Sequence, residues 1–184
     1  WYAFSVAKAT KFTAAMVMDD TADFDLYVYK LNETDGTLEL VGGSAIVGAG
    51  TQELSMLKLD EGIYFIGIEA ATGNGSFLMY TYAGVNDGKE INDTTDLASS
   101  YVRNSRMTAT IDSPFDYDYY KVVISKNDIL EYTFDQPTGC DYKVLVYDGK
   151  NYYTINNGTY RLNTGTYYFI VMAKIGRASC RERV

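Results

Sequence analysis

Residues 1–30 and residues 119–148 carry one pattern written twice, at a constant offset of 118 and without a gap. Five positions are identical: Tyr2/Tyr120, Lys8/Lys126, Asp23/Asp141, Val28/Val146 and Tyr29/Tyr147. The spacing constrains more than the identities. Tyr2, Phe4 and Val6 answer Tyr120, Val122 and Ile124; Phe12, Ala14 and Met16 answer Leu130, Tyr132 and Phe134; Phe24, Leu26 and Val28 answer Tyr142, Val144 and Val146. Each triplet is apolar at every second residue, the period at which side chains return to one face of a strand and not of a helix. The chain therefore reads as two copies of one all-β module, and a repeated module is more often a scaffold or binding unit than a catalytic centre.

The correspondence continues further along. Residues 59–70 (LDEGIYFIGIEA) lie over 162–173 (LNTGTYYFIVMA) at an offset of 103, so the middle loop of the second copy is 15 residues shorter. Loops at a sandwich rim tolerate such changes at little cost. In the first copy strands are expected at 1–6, 12–17, 24–31, 38–41, 53–57, 64–69 and 76–82, separated by Gly/Asn/Asp turns. The second copy is expected to add a strand at 107–111 and to lack a counterpart of 76–82. The resulting division is a module over 1–83, an acidic linker over 84–105 with a helical turn near 95–101, and a module over 106–174. Each module is expected to be cut short at one end.

The last ten residues, IGRASCRERV, depart from this pattern and read like a translated sequencing-library adaptor, which would also supply part of the Lys174 codon. Residues 175–184 are accordingly expected to be a non-native tail on a fragment. Setting aside Arg177, Arg181, Arg183 and Glu182 takes Lys+Arg from 16 to 13 and Asp+Glu from 24 to 23, moving the net charge from −8 to −10. Cys140 is then expected to stand alone beside a turn as a small buried residue, with no internal disulfide.

Four motifs stand out, the last two present in both copies: Ile111-Asp112; Asp116-Tyr117-Asp118-Tyr119; Asp141-Tyr142-Lys143-Val144, matched by Asp23-Phe24-Asp25-Leu26; and Gly165-Thr166-Tyr167, matched by Gly62-Ile63-Tyr64. Together they resemble the bacterial pre-peptidase C-terminal domain family, and the resemblance spans nearly all of residues 1–174. It implies two tandem jelly-roll-like antiparallel β-sandwich modules, non-catalytic, attached to a larger exported protein and located extracellularly or at the cell surface. Some relatives bind collagen or polysaccharide, and some carry calcium. Lys143 stands where the first copy has Asp25, a departure from the pattern at that position.

The chain contains no His, so Ser-His-Asp and Cys-His machinery and His-containing zinc sites are absent. The acidic balance and the lack of clustered Lys and Arg argue against nucleic acid. No apolar run is long enough for a membrane span. The expected partners are neighbouring domains of the same polypeptide and an extracellular polysaccharide or protein.

Two kinds of candidate site remain. Closely spaced carboxylates suit calcium, a hard cation that takes oxygen ligands. Three clusters qualify: Asp19, Asp20, Asp23 and Asp25; Asn86, Asp87, Glu90, Asp93 and Asp96; and Asp112, Asp116 and Asp118. None has EF-hand spacing, and the alternative reading is that these residues form turns. The second candidate is aromatic: 18 Tyr stand against 8 Phe and 1 Trp. Tyr27, Tyr29 and Tyr147 lie opposite the inward triplets, and Tyr117, Tyr119, Tyr152, Tyr153 and Tyr160 offer a ligand surface in the second module. Such rings stack on sugars or line interfaces, and they are also good residues for a half-exposed strand face.

Overall fold

In a computed structural model of the chain, residues 1–84 and 88–173 are described. Among them the chain is all-β, with no helix and no closed barrel. No helix among the described residues is long and apolar enough to cross a membrane, a statement that leaves β-barrels aside. The chain divides into two compact units, Trp1–Asn86 and Asp87–Val184.

The first unit holds seven strands: β1 (Tyr2–Val6), β2 (Thr10–Met18), β3 (Asp23–Leu31), β4 (Leu38–Ser44), β5 (Glu53–Leu59), β6 (Gly62–Thr72) and β7 (Phe77–Gly84). They form antiparallel sheets in the orders β1-β6-β3-β4 and β5-β2-β7. The inner faces share one core. Phe12, Ala14 and Met16 come from β2, Phe24, Leu26 and Val28 from β3, and Tyr64 and Ile66 from β6. The period-2 pattern is thus the reason for the two layers: β3 buries one face and turns the other outward, whereas β2 is buried on both faces, with Lys11, Thr13 and Ala15 buried opposite Phe12, Ala14 and Met16. Tyr2, expected inward, is 47% exposed because it sits at the start of an edge strand.

The second unit holds β8 (Ser99–Ser100), β9 (Tyr117–Ile124), β10 (Asp128–Tyr132), β11 (Tyr142–Tyr147), β12 (Tyr152–Thr154), β13 (Gly158–Leu162) and β14 (Gly165–Ala173). Its larger sheet runs β12-β11-β14-β9-β8, and β10 pairs with β13. The pairing repeats that of the first unit. Tyr2↔Ile66 becomes Tyr120↔Phe169, Val28↔Ile66 becomes Val146↔Phe169, and Thr10↔Leu59 becomes Asp128↔Leu162. These are the partners that offsets of 118 and 103 require.

Several expectations are corrected. Residues 107–111 form no strand, and the outer edge of β9 is taken by β8, which pairs with it in parallel as Ser99↔Tyr120 and Ser100↔Lys121. Residues 95–97 make a turn rather than a helical turn. The segment read as a polar linker is partly built into the second unit, with Glu90, Asn92 and Asp93 buried. Cys140 is half-buried beside the turn at 138–139, and the expectation that it forms no internal disulfide turns on Cys180, which lies outside the described residues. The expectation of a non-native tail at 175–184 lies outside the described residues.

The two cores differ in one respect. In the first unit β2 is flanked on both sides and its inward residues are buried. Among the described residues of the second unit, β10 has only β13 beside it, and Leu130, Tyr132 and Phe134 are partly buried. Leu26 has no exposure, so Leu26→Ala is expected to cost about 2–5 kcal/mol, read as a lowered urea midpoint. Leu130→Ala is expected to cost clearly less in the same assay, because its cavity opens towards solvent.

Candidate functional site

Glu90, Asp116 and Asp118 bring one carboxylate oxygen each within 4.8 Å of one another, all three side chains being buried. The strands explain the position. Asp118 occupies the inward phase of β9, the phase continued by Tyr120, Val122 and Ile124. Asp116 lies just before that strand in a tight loop, where its N–H donates to Ser113 O at 3.2 Å and its Oδ2 accepts the Asp112 N–H at 2.7 Å. Glu90 arrives from the far side of the sheet edge. The segment from Lys89 to Tyr101 is tied along β9 by Tyr119 N–H to Asn92 O at 2.8 Å, by the β8–β9 pair, and by Tyr101 N–H to Lys121 O at 2.9 Å. Tyr117 N–H donates to Asp93 Oδ1 at 3.4 Å.

A fourth polar side chain points into the cluster. The Asn92 carboxamide has no exposure, and one end of it lies 3.1 Å from Asp118 Oδ1 and 3.0 Å from Glu90 Oε2. Turned nitrogen-inward, it donates to both carboxylates. Turned oxygen-inward, it joins them as a further oxygen ligand. The Tyr120 hydroxyl donates to Asp118 Oδ2 at 2.6 Å, which fixes that carboxylate from within the core. The negative charge is felt nearby: the Tyr142 phenol is held above its ordinary value first by burial and then by Asp116 and Asp118.

The donor set is all oxygen, with no nitrogen or sulfur, which selects a hard cation over zinc or copper. Oxygens on one calcium ion sit 2.3–2.6 Å from it and so lie no more than about 5 Å apart. The cluster meets that limit. Three like charges brought together away from water also repel one another strongly, a cost that a divalent cation offsets.

The other predicted residues are placed differently. No three of Asp19, Asp20, Asp23 and Asp25 lie within 4.8 Å of one another. Asp19 Oδ2 accepts the Ser76 N–H at 2.7 Å and its hydroxyl at 2.9 Å, and this pair of bonds holds its carboxyl below the usual range. Asp23 is buried and accepts the Gly48 N–H, Asp20 is exposed beside Gly50, and Asp25 accepts the Tyr27 hydroxyl. Asp87 and Asn86 lie outside the described residues, Asp96 is exposed, and Asp112 contributes a backbone N–H to Asp116.

Among the tyrosines, Tyr152 and Tyr153 are more than half exposed, whereas Tyr117, Tyr119 and Tyr160 are half-buried. Tyr160 is spent on its own loop, exchanging hydrogen bonds with Asn156. Tyr152 stacks on Tyr147 at 4.5 Å, and Tyr147 lies 6.3 Å from Tyr168. Asn92 is the residue that sequence reasoning missed; its only sequence signal is its place between Glu90 and Asp93.

No family model matches the chain, and no curated protein matches it.

The Asp19 carboxyl is expected to titrate below 3.8, followed by carboxyl carbon NMR. Because its folded value is depressed, its contribution is present above the unfolded value of about 3.9 and is lost as pH falls through the folded one. Asp19→Asn is expected to remove that part of the acid destabilisation of the first unit.

Proposed function

We propose that this chain is a pair of non-catalytic β-sandwich modules from a secreted or cell-surface bacterial protein, whose second module holds a calcium ion at Glu90, Asn92, Asp116 and Asp118. The buried all-oxygen cluster carries the reading. The repeated strand order and register support the tandem arrangement, and the motif resemblance to pre-peptidase C-terminal domains supports a jelly-roll-like accessory role. In that role the pair serves adhesion, substrate targeting or support of a neighbouring domain.

The ion would act as a clamp. Glu90 and Asn92 belong to the segment before β9, whereas Asp116 and Asp118 belong to the loop and strand it lies against. A cation shared between them ties that segment to the sandwich and exchanges carboxylate repulsion for attraction. Loading would turn the Asn92 amide oxygen toward the ion, and unloading would return its N–H groups to Asp118 and Glu90.

A second reading, a calcium-dependent carbohydrate- or collagen-binding module, is favoured by the exposed Tyr152, which stacks on the half-buried Tyr147. It adds a ligand surface to the same scaffold.

Calcium at about 1 mM is expected to raise the melting temperature by about 5 °C or more over a chelator-treated sample, with magnesium giving a smaller shift. Asp118→Asn is expected to abolish the calcium shift. An unchanged melting temperature in calcium would defeat the clamp.

A further inference from the structure

The turn between β6 and β7, residues 73–76, lies so close to the turn between β2 and β3 that two of its positions favour glycine. Gly73 has φ +74°, and a Cβ there would run into Thr21 O. A Cβ on Gly75 would stand 3.0 Å from Asp19 Oδ2. Ser76 closes the contact. It donates its N–H at 2.7 Å and its hydroxyl at 2.9 Å to that same oxygen, and the Asp19 N–H donates to Ser76 O at 3.2 Å. The close backbone approach therefore leaves Asn74 between two glycines at the tip.

Asn74 is exposed, and its carboxamide has no hydrogen-bond partner among the described residues. Gly75 is exposed beside it and brings no side chain to shield its own N–H. No bond among the described residues holds Asn74 Cγ away from the nitrogen that follows it. Asparagine is a thermolabile residue, and a free carboxamide next to an unshielded main-chain nitrogen is the arrangement from which it cyclises.

The same dipeptide in the second unit is tied down. Asn157 also precedes a glycine, but its Oδ1 accepts the Phe134 N–H at 2.7 Å and its Nδ2 donates to Phe134 O at 3.3 Å. Two Asp-Gly pairs are held as well. Asp35 Oδ1 accepts the Thr37 N–H and hydroxyl, and Asp148 Oδ1 accepts the N–H groups of Lys150 and Asn151. Among the described Asn and Asp residues that precede glycine, only Asn74 keeps its side-chain group free of such bonds.

We propose that Asn74 is a site of spontaneous deamidation and that its conversion releases the clasp between Ser76 and Asp19. The Gly75 nitrogen gives its proton to solvent and bonds to Asn74 Cγ; the Cγ–Nδ2 bond breaks, and ammonia leaves a succinimide behind. Water opens that ring at one carbonyl to give aspartate, or at the other to give isoaspartate, whose main chain is one methylene longer. The lengthened segment lies between Gly73, set against Thr21, and Ser76, held by Asp19. The extra methylene moves Ser76 off Asp19, and either product sets a second carboxylate near the first, where like charges repel. The site uses none of the cation ligands, so it stands whether or not the calcium clamp does.

The test is to hold the freshly purified full chain at mildly alkaline pH, sample it over time and weigh the peptic peptides that cover Asn74 and Asn157. The mass gain of amide-to-acid conversion is expected about tenfold or more faster at Asn74, because Asn157 must first release two hydrogen bonds. In urea, where both carboxamides are free, the two are expected to convert at similar rates. An isoaspartyl methyltransferase is expected to label the aged chain, and Asn74→Gln is expected to remove most of that label. Carboxyl carbon NMR is expected to show Asp19 titrating at higher pH in the aged chain than in the fresh one, since the Ser76 bonds that hold it low are lost. Asn157 converting as fast as Asn74 in the folded chain overturns the proposal. So does Asn74 left unchanged over the time in which the unfolded chain converts. An aged chain whose Asp19 titrates as in the fresh one overturns the release of the clasp.

Discussion

The antiparallel pairing of β3 with β6, and of β11 with β14, is the constraint on which the rest of each unit depends. A slip of one residue would exchange the faces of every strand involved. In the first unit the observed register puts Leu26, Val28, Tyr64 and Ile66 inside and Asp25, Tyr27, Gly67 and Glu69 outside. Core and outer face are set by the same register. The cost of exposing the inward set, about 1.5–3 kcal/mol for each large apolar side chain, holds the outward set in place without any contact of its own.

The acidic cluster depends on a different element. Glu90 and Asn92 precede Asp116 and Asp118 by more than 20 residues. They meet because a short parallel pairing, Ser99↔Tyr120 and Ser100↔Lys121, and a few flanking backbone bonds lay the earlier segment along β9. Such a strip of pairing is weak by itself, as two residues order little backbone per hydrogen bond gained. The cation proposed for the acidic cluster would be shared by residues on both sides of this strip and would strengthen the attachment where the fold supplies least.

The strands of the first unit were legible through apolar triplets at every second residue and the Gly/Asn/Asp turns between them; the structure extends β2 to Thr10–Met18 and β6 to Gly62–Thr72 around the expected cores. The strand expected at 107–111 is absent, and the short edge strand of that sheet is Ser99–Ser100 instead, a pairing that two Ser residues do not signal. The acidic candidates were legible as residue types, and Asp118 also betrays itself by standing in the apolar phase of its strand. Asn92 was not legible, since an isolated Asn beside acids reads as a turn residue until its burial is known. The difference between Asn74 and Asn157 was hidden in the same way. Both precede a glycine, and only the bonds of Asn157 to Phe134 set them apart.

What the sequence determined by itself was the period, and with it the all-β class, the inward triplets and the doubling of the module. Periodicity is local, because it records which face of each strand is buried. Only the tertiary structure decided which acids meet and which Asn-Gly carboxamide is tied down. Those relations join residues on different strands through register and edge order, which no spacing within one segment encodes.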